Sequence, residues 1–253
     1  MTPKTDSPRR IGLARALSKL GHCSRSEALR KITAGRIRLN GRLVLDPQTP
    51  VVLGADKVEV DNEIIAAAKK IYLVMNKPRG MVTTANDEKG RVTVLSLLPL
   101  SSRWLAPVGR LDKASEGLLL FTNDSEWAGK VTAPETHLDK TYHVQIAAIA
   151  DQSLMQQLRF GVRTDDILLR VKRATIVRQG KKNSWIEVVL SEGKNRHIRR
   201  LLAGLNIEVL RLIRIAIGPL ALGDLPKGKI RELNREEKAR LDKAMAGRSA
   251  RAS

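Results

Sequence analysis

The sequence predicts an α+β protein built from two modules, a small one near the N-terminus and a larger one after it. In the first 60 residues, two helical patterns precede one β-hairpin pattern. From Ile71 onward, short apolar strands alternate with helical segments, which is typical of a mixed α and β domain. A chain of 253 residues is long enough to form two such hydrophobic cores.

Two helices and a hairpin are expected in the small module. Apolar residues recur at helical spacing from Ile11 to Leu20, which predicts the first helix. Ser24-Arg25-Ser26-Glu27 has the pattern of a capping box that opens a second helix, and Gly35 is expected to end it. The dipeptide Asn40-Gly41 separates two short alternating segments, so it predicts a type I′ turn between two strands.

The larger module is predicted to contain several apolar strands. Five of these segments are residues 71–75, 117–122, 142–146, 185–190 and 210–215. The expected organisation is a flexible N-terminus (1–9), the small module (10–60), a linker (61–70), the larger module (71–235) and a basic C-terminal tail (236–253). The tail is expected to fray because its apolar stripe stops after Leu241.

The charge of the chain favours a polyanionic partner. There are 46 Lys and Arg against 26 Asp and Glu, which gives a net charge of +20. The first 60 residues hold 12 basic and 5 acidic residues, so the excess is marked in the small module. A solvated basic surface is the alternative interpretation. The candidate RNA-binding residues there are Arg25, Arg30, Lys31, Arg36, Arg38 and Arg42.

Several classes of protein are disfavoured by what the sequence lacks. No apolar run approaches the ~18 residues that cross a bilayer, and the first ten residues do not form a signal peptide, so we expect a cytoplasmic protein. A single cysteine, Cys23, allows no internal disulfide, and the four histidines have no metal-ligand spacing around it. No Walker or dinucleotide-binding glycine pattern is present. We therefore expect no metal and no nucleotide cofactor.

One carboxylate stands out in the larger module. In Gly109-Arg110-Leu111-Asp112, the aspartate follows a glycine-containing turn, and the apolar segment Leu118–Phe121 comes shortly after it. Aspartates in turns commonly accept hydrogen bonds from backbone N–H groups, and spacing alone ranks this structural role first. The other interpretation is a carboxylate placed at the edge of a sheet for chemistry.

A second polar cluster lies between residues 192 and 200. Ile198, Leu201, Leu202 and Leu205 share one face of a predicted helix, with Arg196, Arg199 and Arg200 roughly opposite. Such a helix can expose a solvated basic face. Alternatively, its N-terminus and arginines can bind phosphate.

Taken together, these motifs resemble those of RsuA/RluB-type ribosomal RNA pseudouridine synthases. The resemblance rests on Asn76-Lys77-Pro78-Arg79-Gly80, Gly109-Arg110-Leu111-Asp112, Lys140-Thr141-Tyr142 and the run from Glu192 to Leu201, which occur in the order of that family. In the small module, Ser24–Ala28 and Gly35–Gly41 resemble the S4 RNA-binding domain over about residues 10–57. The resemblance implies an S4 domain followed by a catalytic domain with a largely antiparallel sheet.

The resemblance also implies roles for individual residues. Asp112 would be the catalytic residue in a reaction that breaks the N1–C1′ bond of a flipped uridine and rejoins the uracil through C5. Arg199 would pair with Asp112 and keep it ionised, Tyr142 would stack on the uracil, and Leu190 would line its pocket. Arg110 would also bind substrate. Arg196 and Arg200 would contact RNA, and Lys77 and Pro78 would be mainly structural.

The expected partner is ribosomal RNA or an assembling ribosomal subunit, bound by a monomer. Lys194-Asn195-Arg196 and Arg211-Leu212-Ile213-Arg214 resemble the RluB side of the branch, which favours 23S over 16S RNA. The main alternative is a non-catalytic S4-type RNA-binding factor for ribosome assembly. A glycosidase is a third interpretation, in which Asp124 would supply a second carboxylate.

Overall fold

The computed structural model describes residues 10–84, 90–99, 104–164 and 166–249. The predicted flexible N-terminus, residues 1–9, lies outside them. The described residues divide into two compact units. The first contains residues 10–72, 104–106 and 122–127, and the second contains the remaining described residues.

The first unit contains the small module. Its elements in chain order are β1 (Arg10–Gly12), α1 (Leu13–Lys19), α2 (Arg25–Thr33), β2 (Ile37–Leu39), β3 (Arg42–Leu43), β4 (Pro50–Val52), β5 (Val58–Val60) and β6 (Glu63–Ile64). Strands β3, β2, β5 and β6 form an antiparallel sheet in that order, and β1 pairs with β4. Leu13, Leu17, Ile32 and Ile37 are fully buried between these elements.

Two local predictions for the small module are confirmed. The Ser24 hydroxyl caps α2 by accepting a hydrogen bond from the backbone N–H of Glu27 at 3.1 Å. Asn40 and Gly41 both have positive φ, 52° and 80°, and they join β2 to β3 as a type I′ turn requires.

Two boundaries in the small module differ from prediction. The first helix was expected from Ile11, but Ile11 lies in β1 opposite Val51, and α1 begins at Leu13. Ile11 directly precedes the helical spacing of Leu13, Leu17 and Leu20, and its pairing with Val51 across the chain was not visible in the sequence. The expected linker also begins later, because Asp61 and Asn62 take positive φ and turn residues 63 and 64 back along β5 as β6.

The remaining elements follow from residue 72. In chain order they are β7 (Tyr72–Lys77), β8 (Ala106–Val108), β9 (Glu116–Thr122), α3 (Ser125–Thr132), β10 (Lys140–Ile146), α4 (Gln152–Phe160), β11 (Val162–Thr164), β12 (Ile167–Leu169), β13 (Arg173–Gln179), β14 (Ser184–Leu190), α5 (His197–Ala203), β15 (Val209–Ile217), β16 (Leu220–Ala221), β17 (Ile230–Glu232) and α6 (Arg235–Ser249). The five predicted strands correspond to β7, β9, β10, β14 and β15.

A mixed sheet forms the centre of the second unit. In the described residues it has nine strands, with the order β13-β14-β10-β15-β9-β7-β17, while β16 pairs with β15 and β8 with β9. β10 runs antiparallel to both β14 and β15, and β9 runs parallel to β15. The predicted α+β class with a largely antiparallel sheet is confirmed.

Gly117 lets two central strands approach each other closely. It has φ +101°, and a Cβ atom added there would lie 2.3 Å from the carbonyl oxygen of Arg214 on β15. Real Cβ atoms do not make such contacts, so only glycine fits at this point. Every residue of β9 is buried, and β9 lies beside β15, the middle strand in the order of the sheet.

The C-terminal segment is a helix, and the predicted frayed tail is wrong for residues 236–249. Asn234 and Glu237 cap α6 reciprocally: the Glu237 N–H donates to Asn234 Oδ1 at 2.8 Å, and the Asn234 N–H donates to Glu237 Oε2 at 3.1 Å. Leu241 and Met245, one turn apart, are buried. Two apolar residues among many charged ones are a weak signal for a helix in the sequence, but in the structure their side chains pack into the second unit. Residues 250–253 lie outside the described chain.

Within the described ranges, no helix has the length and apolar character needed to span a bilayer.

Candidate active site

A cavity of about 420 Å³ in the second unit collects most of the residues that the sequence singled out. Its floor is one face of the central sheet. The floor residues are Lys140 and Tyr142 of β10, Leu190 of β14, and Leu212, Arg214 and Ile217 of β15. Cross-strand register explains their proximity, since Lys140 lies opposite Leu190 and Tyr142 lies opposite Arg214.

Two loops form walls of this cavity. One is the turn between β8 and β9, which contributes Arg110 and Asp112. The other wall runs from Gly193 into α5 and contributes Arg196 and Arg199. The cavity therefore brings together Arg110, Asp112, Tyr142, Leu190, Arg196 and Arg199. Arg200 does not line it, and its Nη2 donates to the carbonyl of Thr164 at 3.4 Å.

The turn that carries Asp112 is held by its backbone. Lys77 is fully buried, and its Nζ donates to the carbonyls of Pro78, Asp112 and Ser115 at 3.0, 3.2 and 2.8 Å. The three N–H groups of an ammonium match these three acceptors. Burial lowers the pKa of Lys77 to about 8, with the nearby negative charge of Asp112 opposing the shift. The structure thus gives Lys77 the structural role that the sequence suggested.

The Asp112 side chain is left exposed by this arrangement. The backbone of the turn is also fixed by Thr83, whose hydroxyl donates to the carbonyl of Leu111 at 2.8 Å. In the part of the chain that the structure describes, no backbone N–H donates to the Asp112 carboxylate. The turn-capping role that spacing alone favoured is therefore not observed, and Asp112 is an exposed residue of the cavity lining.

Arg199 lies beside the same turn but does not form the expected direct pair with Asp112. Its Nη2 donates to the carbonyl of Ala114 at 3.2 Å and its Nη1 to that of Val209 at 3.3 Å. Burial lowers the pKa of the guanidinium, and the charge of Asp112 opposes that shift. Because both terminal nitrogens are engaged by carbonyls, Arg199 fixes the turn and supplies positive charge without a salt bridge.

Arg214 is a cavity residue that the sequence analysis did not assign to the site. It is 6% exposed, and its Nε donates to the carbonyl of Leu118 at 2.8 Å. Its Nη2 is buried and has no hydrogen-bond partner among the described residues. In the sequence, Arg211-Leu212-Ile213-Arg214 resembled the RluB side of the branch and fell in a predicted strand, but nothing in it assigned Arg214 to the site. The register with Tyr142 was the missing information.

Other carboxylates near these motifs are engaged in structural contacts. Glu116, with a side chain 3% exposed, accepts from Arg211 at 2.7 and 3.0 Å and from Lys227 at 2.7 Å. The hydrogen bonds from Arg211, followed by those from Lys227, lower the pKa of Glu116 to about 2. Asp124 caps α3 by accepting from the N–H of Trp127 at 3.2 Å. Neither is free to act as the second carboxylate of a glycosidase.

The basic residues of the small module fall into two groups. Arg36 forms a two-pronged ion pair with Asp61 at 2.7 and 2.6 Å, Arg38 donates to the carbonyl of Gly41 at 3.1 Å, and Lys31 lies 3.7 Å from the carboxylate of Glu27. Arg25, Arg30 and Arg42 are exposed and make no side-chain hydrogen bond or ion pair to another described residue. The second group is therefore the better placed for phosphate.

A larger cavity of about 740 Å³ also lies in the second unit. Its lining includes Leu138, Asp139, Arg159, Lys172 and Lys243, with an ion pair of 2.6 Å between Lys172 and Asp139. None of the residues predicted for the site lines it in the described chain. Among the described residues, no group of three or more His, Cys, Asp and Glu side chains is arranged to hold a metal ion.

Comparison with known families identifies the class of protein. The family model described as RNA pseudouridylate synthase matches residues 71–204, and that of the S4 domain matches residues 11–58. The chain belongs to the RNA pseudouridine synthase family, with an S4 domain ahead of the synthase domain.

Individual relatives extend over nearly the whole chain. An uncharacterized RNA pseudouridine synthase of Aquifex aeolicus is 36% identical over 236 residues, 93% of this chain and 95% of that protein. The ribosomal large subunit pseudouridine synthase B of Bacillus subtilis is 33% identical over 231 residues, 90% of this chain and 94% of that protein. A crystal structure of a pseudouridylate synthase matches with a TM-score of 0.64 and 25% identity, over 91% of this chain and 99% of that one.

Proposed function

We propose that this protein isomerises a uridine of ribosomal RNA to pseudouridine, with Asp112 as its catalytic carboxylate. The observation that carries the proposal is the exposed, unbonded carboxylate of Asp112 in a cavity that also holds Tyr142 and Leu190. Such a carboxylate can turn toward a substrate without breaking a hydrogen bond to the backbone.

The chemistry needs only groups that the cavity offers. Breaking the N1–C1′ bond develops positive charge at C1′, where an ionised Asp112 can stabilise the charge, form a covalent bond or remove the 2′ hydrogen. The uracil then turns and bonds to C1′ through C5. Arg199 supplies positive charge beside the turn that carries Asp112.

The position of Asp112 in a cavity requires that the target uridine flip out of its helix. A uridine stacked within an RNA helix cannot present its C1′ inside a cavity, so the nucleotide must leave the stack. The ring of Tyr142 on the cavity floor offers one face on which the uracil stacks. Exposed Lys194, Arg196 and Arg110 at the walls are placed to contact the flanking phosphates.

Large-subunit RNA is the favoured substrate, either as naked RNA or within an assembling subunit. Support comes from the similarity to the ribosomal large subunit pseudouridine synthase B of Bacillus subtilis and from the RluB-like motifs around Lys194 and Arg211. A ribosomal substrate would place the reaction in the cytoplasm of a bacterial cell. We also propose that the protein acts as a monomer.

Tritium release from C5 of uridine tests the proposal. When C5 bonds to C1′, its hydrogen is lost to water, so transcripts of 23S and 16S RNA carrying tritium at C5 report turnover. The wild-type protein is expected to release tritium from one of them, whereas Asp112→Asn and Asp112→Ala release none above background.

Arg178→Gln serves as the control, because Arg178 is an exposed residue of β13 outside the cavity, and it should leave the release unchanged. A wild-type protein that releases no tritium from either RNA, its fragments or subunit precursors would refute the enzyme and favour the non-catalytic assembly factor.

A further inference from the structure

Arg214 lines the cavity and has a buried hydrogen-bond donor that no described group uses. The side chain is 94% removed from solvent, and one nitrogen, Nε, is satisfied by the carbonyl of Leu118. The buried Nη2 has no partner in the described chain. Buried polar groups are nearly always hydrogen-bonded, so an orphaned donor in a cavity wall points to a group that the cavity receives.

The charge of Arg214 is also unpaired by any described carboxylate within salt-bridge distance. Glu116 precedes Gly117, the register partner of Arg214 on β9, but Arg211 and Lys227 occupy both of its oxygens. Lys140 lines the same floor, and burial together with the charge of Arg214 lowers the pKa of its ammonium. Two cations therefore share the floor, which favours a ligand that carries or develops negative charge.

The position of Arg214 selects the base over the phosphate as that ligand. Tyr142 and Arg214 are directly opposed on antiparallel strands, so their side chains lie on the same face of the sheet. A uracil stacked on Tyr142 would bring an edge toward Arg214. Phosphates would remain at the cavity walls, where Lys194 and Arg196 are exposed.

We propose that Arg214 is a catalytic residue whose Nη2 donates a hydrogen bond to a carbonyl oxygen of the flipped uracil and stabilises the uracil as it leaves C1′. The inference rests on the proposed function. When the N1–C1′ bond breaks, its electron pair goes to N1, and the negative charge spreads onto O2 and O4. The opposite charge develops at C1′, toward Asp112.

The remaining steps restore neutrality without changing either residue. C5 bonds to C1′, the C5 hydrogen leaves to water as a proton, and N1 takes up a proton from water. The product is an isomer of the substrate, so no other reactant is consumed. Arg214 and Asp112 would thus divide the work, since one stabilises the leaving base and the other the sugar.

Substitution of Arg214 tests this division. Arg214→Gln removes the charged donor, and its kcat is expected to fall by about 100-fold or more, the usual effect of removing one donor that stabilises a developing negative charge. KM should change by less than about threefold, because the bond strengthens only as charge develops. Arg178→Gln is the matched control and should keep the wild-type kcat.

A modified substrate separates catalysis from structure. Fluorine at C5 withdraws electrons and stabilises the uracil anion, so the reaction of 5-fluorouridine should depend less on Arg214. In single-turnover consumption of the target nucleotide, the defect of Arg214→Gln is expected to be at least about tenfold smaller with 5-fluorouridine than with uridine. A purely structural defect would be equal for both substrates.

Arg214→Lys covers the case in which Arg214→Gln does not fold, as judged by circular dichroism and thermal unfolding. It keeps one cation but lacks the second guanidinium branch, so a loss of kcat of at least about tenfold is expected. Wild-type turnover in a folded variant, equal defects for both substrates, or failure of both variants to fold would overturn the inference in favour of a structural arginine, with the proposed function intact. A wild-type protein inactive on every RNA would instead refute the proposed function and the inference with it.

Discussion

Asp112 and Glu116 are four residues apart, yet their surroundings differ completely. Asp112 is exposed, and no described backbone N–H donates to its carboxylate, while Glu116 is buried and accepts from Arg211 and Lys227. The first arrangement leaves a carboxylate available for a substrate. The second links β9 to residues 211 and 227 through ion pairs. This stabilisation is lost when the carboxylate is protonated.

The stability contributed by Glu116 is expected to vanish in acid. Because its pKa is lowered to about 2 in the fold, the contribution is complete above the ordinary carboxyl value near 4.5 and is lost as the pH falls from there toward 2. Arg211 and Lys227 are partly exposed, which screens the pair, so we expect Glu116→Gln to cost on the order of 2 kcal/mol at pH 7.

Urea unfolding of the wild type and Glu116→Gln at pH 7 and pH 3 measures this contribution. The difference in free energy of unfolding should narrow by about half or more at pH 3. An unchanged difference would show that the carboxylate is not held in its charged form by these partners.

For single residues, the sequence motifs predicted that Asp112, Tyr142 and Leu190 share one site, and all three line one cavity. Arg214 was not predicted as a site residue, because its burial and its contact with Leu118 depend on strands that are far apart in the sequence. The expected direct pair of Arg199 with Asp112 was inaccurate for a related reason. Sequence does not reveal that the carbonyls of Ala114 and Val209 compete for the guanidinium.

At the element scale, the close contact between β9 and β15 supports the site. Gly117 allows the two strands to pair, and Arg214 of β15 then donates to the carbonyl of Leu118 in β9. Because β9 follows the turn that carries Asp112, this pairing also holds one end of that turn. The glycine in the Glu116-Gly117-Leu118 sequence therefore has a packing reason that is independent of catalysis.

Gly117→Ala is expected to destabilise the protein by about 2–4 kcal/mol, because it forces a Cβ against the Arg214 backbone and adds the strain of a positive φ. Gly129→Ala is the matched control. Gly129 lies in α3 with open space around it, so the change should be neutral or stabilising by up to about 1 kcal/mol. Chemical denaturation measures both, and equal effects would contradict the packing argument.

Elements with strong apolar periodicity were predicted well, whereas those stabilised by distant contacts were not. β7, β9, β10, β14 and β15 correspond to clear apolar runs. Among the α6 residues whose burial is described, only Leu241 and Met245 are buried, so the charged sequence of the helix resembled a tail. Its Asn234-Arg235-Glu236-Glu237 capping box was the sequence signal that could have identified it.

At the scale of the whole molecule, a net charge of +20 and an S4 domain favour RNA binding. The structure refines which basic residues of the first unit are available, since Arg36 is held by Asp61 while Arg25, Arg30 and Arg42 are exposed. Composition predicted the class of partner, but the distinction between paired and available arginines needed three-dimensional contacts.

RNA binding should therefore respond to the exposed arginines. The triple substitution Arg25→Gln, Arg30→Gln and Arg42→Gln removes up to three phosphate contacts, so the slope of log binding constant against log salt should fall by about 2–3. Arg36→Gln should change the slope by less than about 1, because its charge is already paired. Filter binding across a salt series measures both, and a triple variant with the wild-type slope would contradict RNA docking by these residues.

The proposed catalysis of pseudouridine formation by Asp112 can be tested in cells that lack this gene and are complemented with the wild-type gene or with Asp112→Asn. The measurement is a map of the pseudouridines in their rRNA at single-nucleotide resolution. We expect one position, or a few, in the large-subunit RNA to lose pseudouridine in the deletion, to regain it with the wild type and to stay unmodified with Asp112→Asn. An rRNA map unchanged by the deletion would contradict pseudouridine formation by this protein, and modification restored by Asp112→Asn would contradict catalysis by Asp112.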